Sequence, residues 1–234
     1  MDFHTFLGYL PNLLDGARET AILTSFTLVC GLAIAVPVAT CRLSRLWPLR
    51  TFALTFVLFF RGAPLLVLLF LVYFGLADIP LVRETWLWTF FRDAYFCAIF
   101  ALSLNSAGYL SEVIAGAVRA VPRGEVEAAT VAGLSRFDIA RLVIVPNAVR
   151  LGLRNYGNEI IFVIKGTSIA SLVTIVELTR AANNIYFRTF DPFTPLIAAG
   201  VIYFVAIWLL SRGIRSLERR LTPQLRMKAN ASQL

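Results

Sequence analysis

Residues 20–41 run for 22 positions without a charged side chain, and about 20 apolar residues in a helix are what the hydrocarbon layer of a bilayer demands. Residues 192–211 form a second uncharged run, of 20 residues. Two such segments leave few folds open to a chain of 234 residues. Composition closes the remaining routes. Apolar residues make up 58% and charged residues 15%, against about 45–50% and about 25% in soluble domains. A soluble enzyme, a disordered linker and a disulfide scaffold are all excluded. The sequence predicts an all-α integral membrane protein.

Three further runs carry one or two charges each. Thr51–Ala77 is interrupted by Arg61, Ala94–Val118 by Glu112, and Tyr156–Val176 by Glu159 and Lys165. About five spans are therefore expected. Pro37, Pro64 and Gly200 lie inside them, which neighbouring membrane helices tolerate by re-satisfying the backbone. The segment Phe3–Asp15 lacks the basic start and small-residue cleavage site of a secretory signal, so it reads as retained, either interfacial or a tethered end. Three parts follow: an N-terminal extracytoplasmic or interfacial segment at 1–19, a transmembrane domain at 20–211 holding a large loop at 119–154, and a basic tail at 212–234.

The net charge of +8 is a matter of orientation rather than of nucleic-acid binding. Fifteen basic residues fall in the loop 42–50, the segment 119–154 and the tail, which includes Lys228, against five in the N-terminus and the other two loops. Positive charge concentrates on the cytoplasmic side, so the N-terminus is expected outside and the C-terminus in the cytoplasm. Trp47, Trp86 and Trp88 near span ends fit an interfacial aromatic belt. Cys30, Cys41 and Cys97 form no metal-binding or disulfide pattern, and His4, the lone histidine, sits near a terminus. No metal site is expected.

The segment 119–154 is neither Gly/Ser-rich nor strongly charged, so it is no passive tether. Pro122-Arg123-Gly124 opens it, and Glu125 and Glu127 then occupy a first helical turn, where acids suit the helix dipole. Ala128, Ala129 and Ala132 continue the helix, and Gly133 breaks it. Ser135 with Asp138 three residues on is a capping-box variant, opening an apolar helix that is expected to stop before Pro146. A short helix, a glycine turn and an apolar helix fit either an interfacial hairpin or a docking element for a cytosolic partner.

These residues resemble the EAA loop of ABC-importer permeases. Glu127-Ala128-Ala129, three residues, Gly133, nine residues, Val143, one residue, Val145 and Pro146 reproduce its spacing, with Val in place of Ile and Leu. Arg61-Gly62-Ala63-Pro64-Leu65-Leu66, Ala117–Glu125, Asn158-Glu159 through Lys165-Gly166-Thr167-Ser168, and Glu177-Leu178 are similar to the polar amino-acid branch, closest to its histidine, arginine and opine group. The resemblance implies a type I importer permease fold and a bacterial inner-membrane location. It implies two permeases, identical or paralogous, two ATP-binding cassette subunits and an extracytoplasmic solute-binding protein. The imported solute would be a polar amino acid, a basic one by the branch it resembles, or an opine. Glu127 would be the polar contact with the ATPase, Ala128 and Ala129 the close-packing positions, Gly133 the turn, and Pro146 the end of the motif. The chain has no phosphate-binding G-x-x-x-x-G-K-[ST] loop, so ATP and Mg belong to the partner, and no cofactor is expected here.

Charges inside spans need a partner, a cavity or a route to the interface. Arg61 is expected to snorkel or to meet a partner subunit. Glu112 and Glu159 are expected to pair with loop arginines such as Arg119 or Arg154. Lys165, Thr167 and Ser168 form a small polar patch that either lines the translocation path or makes a polar helix contact. Gly31, Ala35 and Ala39 give a close-packing face on the first span, and Gly108, Glu112 and Gly116 share a face of the third. The alternatives to a transport subunit are a non-transporting membrane scaffold and an intramembrane enzyme, the latter lacking any histidine within a span.

Overall fold

The computed structural model describes residues 3–221, with side chains from residue 8. The side chain of His4, and Lys228 with the end of the basic tail, lie outside the described residues. Among the described residues all regular structure is helical.

Helix α1, Phe3–Leu43, is one helix of 41 residues with Pro11 and Pro37 inside it. It runs without a break through residues 19 and 20, where the N-terminal segment was expected to meet the first span. Its small face packs as the spacing suggests. A Cβ on Gly31 would stand 3.3 Å from the Ser106 side chain, and Ala35 packs with Ala107 and Leu110.

Helix α2, Trp47–Gly62, starts with a proline in its first turn, where the missing N–H costs nothing. It ends because Ala63 precedes Pro64 and is held extended, at φ −73° and ψ 132°. The chain restarts as α3, Leu65–Phe70, then widens through a π turn at Leu71–Gly75 and tightens into a 3-10 turn at Leu76–Asp78. The two halves are bent by 102°. The expected second span is thus a broken one.

Two short helices, α4 (Pro80–Arg83) and α5 (Trp88–Phe91), lead to α6, Ala94–Arg119. Asp93 caps α6 by accepting from the Phe96 amide at 2.9 Å. Helix α6 is the centre of the fold: 61% of its apolar stretch is buried, against 33% for α1 and 22% for the last helix. Its small residues, among them Ala98, Ala101, Ala107 and Gly108, let α1 and α2 approach closely. Gly108 meets Arg61 and Phe60 on α2, whereas nothing lies near Gly116.

After α7 (Arg123–Val131) and α8 (Arg136–Ile139), a π turn at Ala140–Ile144 runs directly into α9, Val145–Gly166. The sequence predicts a stop before Pro146, and this is corrected. Pro146 sits in the first turn of α9, and the wider π turn before it accommodates a residue without an N–H. Helix α9 tightens into a 3-10 segment, Thr167–Val173, which Thr174 ends at a left-handed φ of 71°. Helix α10, Leu178–Thr189, follows at a bend of 47°, and α11, Phe193–Leu221, closes the chain. Three helices are long and apolar enough to cross a membrane, and up to five spans result if each bent pair counts as one.

Candidate coupling loop and translocation path

The loop between α6 and α9 is built by local chemistry. Gly133 adopts φ +81°, a left-handed conformation open to glycine at little cost. Its N–H donates to Thr130 O at 3.0 Å, and the Leu134 N–H donates to Ala129 O at 3.2 Å. This pair of bonds is the Schellman end of α7. The Ser135 hydroxyl then caps α8 by accepting from the Asp138 amide at 3.2 Å, as expected. The Asn147 side chain donates to Glu125, tying α7 to the start of α9. Val126 packs beneath on Ala117, Val121 and Ala148.

The remaining loop residues face outward. Glu127, Ala128 and Gly133 are exposed and Ala129 is buried against the loop base. Val131 is 90% exposed, Phe137 70% and Leu142 60%. Apolar side chains of that size, held on an ordered turn, form a surface made for contact. Pro146 is exposed at the head of α9.

The charges within the spans are paired otherwise than expected. Glu112 accepts from Arg42 on α1 at 2.9 Å, not from Arg119. Arg154 pairs with Glu218 on α11 at 2.9 Å, so it is not the partner of Glu159. Both partners come from helices that only the tertiary fold brings near. Glu159 is buried, with the Ser106 hydroxyl acting on its carboxylate, and the Thr27 hydroxyl has no hydrogen-bond partner. The cation that acts on Glu159 is Arg61. Arg61 is exposed at the end of α2, its guanidinium 4.7 Å above the ring of Tyr109. Tyr109 in turn leans on Phe162 of α9, with ring centroids 5.6 Å apart. A buried acid, an exposed arginine and an aromatic shelf thus converge from α2, α6 and α9.

The patch Lys165–Ser168 divides. Lys165 and Ser168 line an open cleft of about 530 Å³ between α9, α10 and α11, together with Thr179, Tyr203 and Phe204. Thr167 does not join them. It is fully buried, and its hydroxyl donates back to Ile164 O at 2.7 Å.

Behind the cleft lies a residue whose role the sequence does not reveal. Glu177 is fully buried and caps α10, accepting from the amides of Thr179 at 2.9 Å and Arg180 at 2.8 Å. The Tyr203 hydroxyl of α11 donates to the same carboxylate at 2.8 Å. The Leu178 amide donates to the Thr20 hydroxyl of α1 at 3.2 Å. The start of α10 is therefore pinned to two spans. Glu177-Leu178 stood in the sequence only as part of the resemblance, and nothing local to it announces the cap or the Tyr203 bond, which comes from 26 positions away.

Residues 28–223 match the family described as binding-protein-dependent transport system inner membrane component. The chain belongs to that family. It is accordingly a permease subunit of an ABC importer, a bacterial inner-membrane protein and not itself an enzyme. It is 39% identical over 233 residues to the nopaline transport system permease protein of Agrobacterium fabrum, covering 99% of this chain and 97% of the relative. It is 37% identical over 220 residues to the histidine/lysine/arginine/ornithine transport system permease of Salmonella typhimurium, covering 91% and 94%. A solved amino acid ABC transporter, crystallised with histidines, superposes at a TM-score of 0.82 and 31% identity, over 94% of this chain and 99% of that one. Family members of this architecture have the type I importer permease fold, here in one chain of bent and straight spans.

Proposed function

We propose that this permease imports a basic amino acid or an opine, working as one of a pair of permeases above two ATP-binding cassette subunits. The observation that carries the reading is the buried Glu159 carboxylate, met by the Ser106 hydroxyl and by the charge of Arg61, which itself lies over Tyr109. A buried acid is expensive in a membrane span and is retained where a cation or a polar solute passes. Relatives named for nopaline, octopine and histidine/lysine/arginine/ornithine transport support the substrate class. Lys165 and Ser168 in the cleft are further candidates for the path, and Thr167 supports them from the buried side.

In this reading the exposed loop 119–154 docks in the ATPase. Glu127 makes the polar contact, Ala128 and Ala129 allow close approach, Gly133 sets the turn and Pro146 starts the span that receives the movement. ATP and Mg act on the partner chains, and an extracytoplasmic binding protein delivers the solute. The uneven distribution of arginines supports an N-terminus outside and a C-terminus in the cytoplasm. Residues 1–19, 20–211 and 212–234 then serve as outer segment, permease domain and cytoplasmic tail.

The test is ATP-driven uptake into proteoliposomes holding this chain with its ATPase and binding-protein partners, using labelled arginine, octopine and nopaline in turn. Uptake of at least one is expected, and Glu159→Gln is expected to weaken it at least tenfold. Transport of none of the three, or of an anionic sugar acid instead, would refute the substrate class. Glu127→Lys should leave insertion intact and separate ATP hydrolysis from uptake.

A further inference from the structure

Helix α11 is the most outlying of the long helices, and its outer face is ordered by chemistry along its length. Val201 and Val205 are exposed, followed by Trp208 at the same face. Arg212, Arg215 and Arg219 continue it, all exposed. At 100° per residue, positions 208, 212, 215 and 219 fall within about 60° of one another. The stripe therefore reads apolar, then aromatic, then cationic.

Depth can be assigned along it. The uncharged run 192–211 is 20 residues, about 30 Å of helix, which matches the hydrocarbon layer. Arg212 then stands at the hydrocarbon boundary, Arg215 about 4–5 Å beyond it and Arg219 about 10 Å beyond. The headgroup layer is about 5–8 Å thick on each side, so Arg212 and Arg215 lie within it. The Arg212 guanidinium is held 5.2 Å above the Trp208 ring, which fixes the cation at the level of the interfacial tryptophan. The acid nearest in sequence, Glu218, is turned to Arg154 on α9. Among the described residues, no salt bridge neutralises Arg212, Arg215 or Arg219.

We propose that this stripe is a binding site for one anionic phospholipid. Arg212 and Arg215 hold the headgroup phosphate, and Val201, Val205 and Trp208 lie along an acyl chain. Charge complementarity commits the site to this occupant. A helix of a second permease laid on the stripe would need acids at headgroup depth, and a zwitterionic lipid would leave the arginines without net compensation. Two headgroup-level cations gain about fivefold each in preference for an anionic surface.

Native mass spectrometry of the full chain, released from detergent and titrated with phosphatidylglycerol or phosphatidylcholine, tests the assignment. The wild-type chain is expected to retain phosphatidylglycerol in preference by about thirtyfold. The double variant Arg212→Gln, Arg215→Gln should lose most of that preference, and Arg212→Lys, Arg215→Lys, which keeps the charge, should keep most of it. The lysine variant also controls for folding, because a loss in both would mean that packing, not phosphate binding, needs these arginines. Equal retention of the two lipids by the wild type, or an unchanged preference in the glutamine variant, would overturn the proposal.

Discussion

Gly133 offers the cleanest perturbation of the coupling loop, because its surroundings are empty. A Cβ built there meets nothing within 4 Å, while φ is +81°. Any effect of a substitution therefore comes from backbone conformation alone. An L-residue in the left-handed region costs about 1–2 kcal/mol, less for asparagine and more for a β-branched side chain. Asparagine, alanine and valine at this position form a graded series. The affected bonds are the Leu134 N–H to Ala129 O and the Gly133 N–H to Thr130 O. A cost of about 1–2 kcal/mol raises the open population of the turn about 5- to 30-fold. Hydrogen exchange at the Leu134 amide should accelerate by that factor in Gly133→Ala, by less in Gly133→Asn and by more in Gly133→Val. The thermal midpoint should hardly move, since the turn lies outside the packed spans. Uptake per ATP should fall in the same order. An unchanged Leu134 exchange rate in Gly133→Val, or asparagine ranking worst, would refute the argument from backbone strain.

Other outcomes follow from contacts elsewhere in the chain. Gly16→Ala would place its Cβ 2.8 Å from Ala181 Cβ and 2.9 Å from Leu178 Cα. It should destabilise by about 1–3 kcal/mol, read by thermal unfolding against Gly8→Ala, where the space is open. Tyr203→Phe removes one donor from the buried Glu177 carboxylate and should cost about 1.5–3 kcal/mol; an unshifted melting curve would show that water takes the place of the hydroxyl. A double-mutant cycle of Arg42→Gln and Glu112→Gln should return a coupling of about 1 kcal/mol for this partly buried pair. Asp191 lies outside the spans, where hydrogen bonds from the Thr194 side chain and amide, and from the Phe193 amide, hold its carboxyl below the ordinary range. A depressed carboxyl stabilises above the unfolded value and loses this as pH falls through the folded one. Fraying at the start of α11 should thus appear only in strong acid, and Asp191→Asn should abolish that dependence in exchange measurements at Thr194.

What the sequence revealed was local or periodic. Uncharged runs located the spans, since bilayer thickness sets a length that residues 20–41 and 192–211 meet. Gly133 and Ser135 announced the loop turn and cap, because each acts on amides within three residues. Proline signalled breaks but not their form. Pro64 ends α2 and bends the span by 102°, whereas Pro146 is absorbed by a π turn and the helix continues. That difference depends on what packs around the break. Ion pairing was the least legible, because the partners of Glu112 and Arg154 lie 70 and 64 positions away. Thr167 belonged by sequence to the polar patch, yet the step of about 100° between successive helical residues turns it inward while Lys165 and Ser168 face the cleft.

The polar groups of the spans fall into two classes, and the division bears on mechanism. Asn105 donates to Phe60 O at 2.7 Å, at the end of α2, and Glu177 caps α10 while gripping Tyr203. Both sit where a helix is interrupted, and both complete hydrogen bonds that the bilayer cannot supply. They are needed by the fold itself. Glu159, Ser106 and Thr27 complete no helix end, and apolar residues of similar size would make a more stable chain. A fold under selection for stability alone would have replaced them. Their place at the meeting of α1, α6 and α9 supports a role in handling a solute. The same reasoning separates the variants: Glu177→Gln should disturb folding before transport, and Glu159→Gln should impair transport while leaving the melting temperature unchanged or raised.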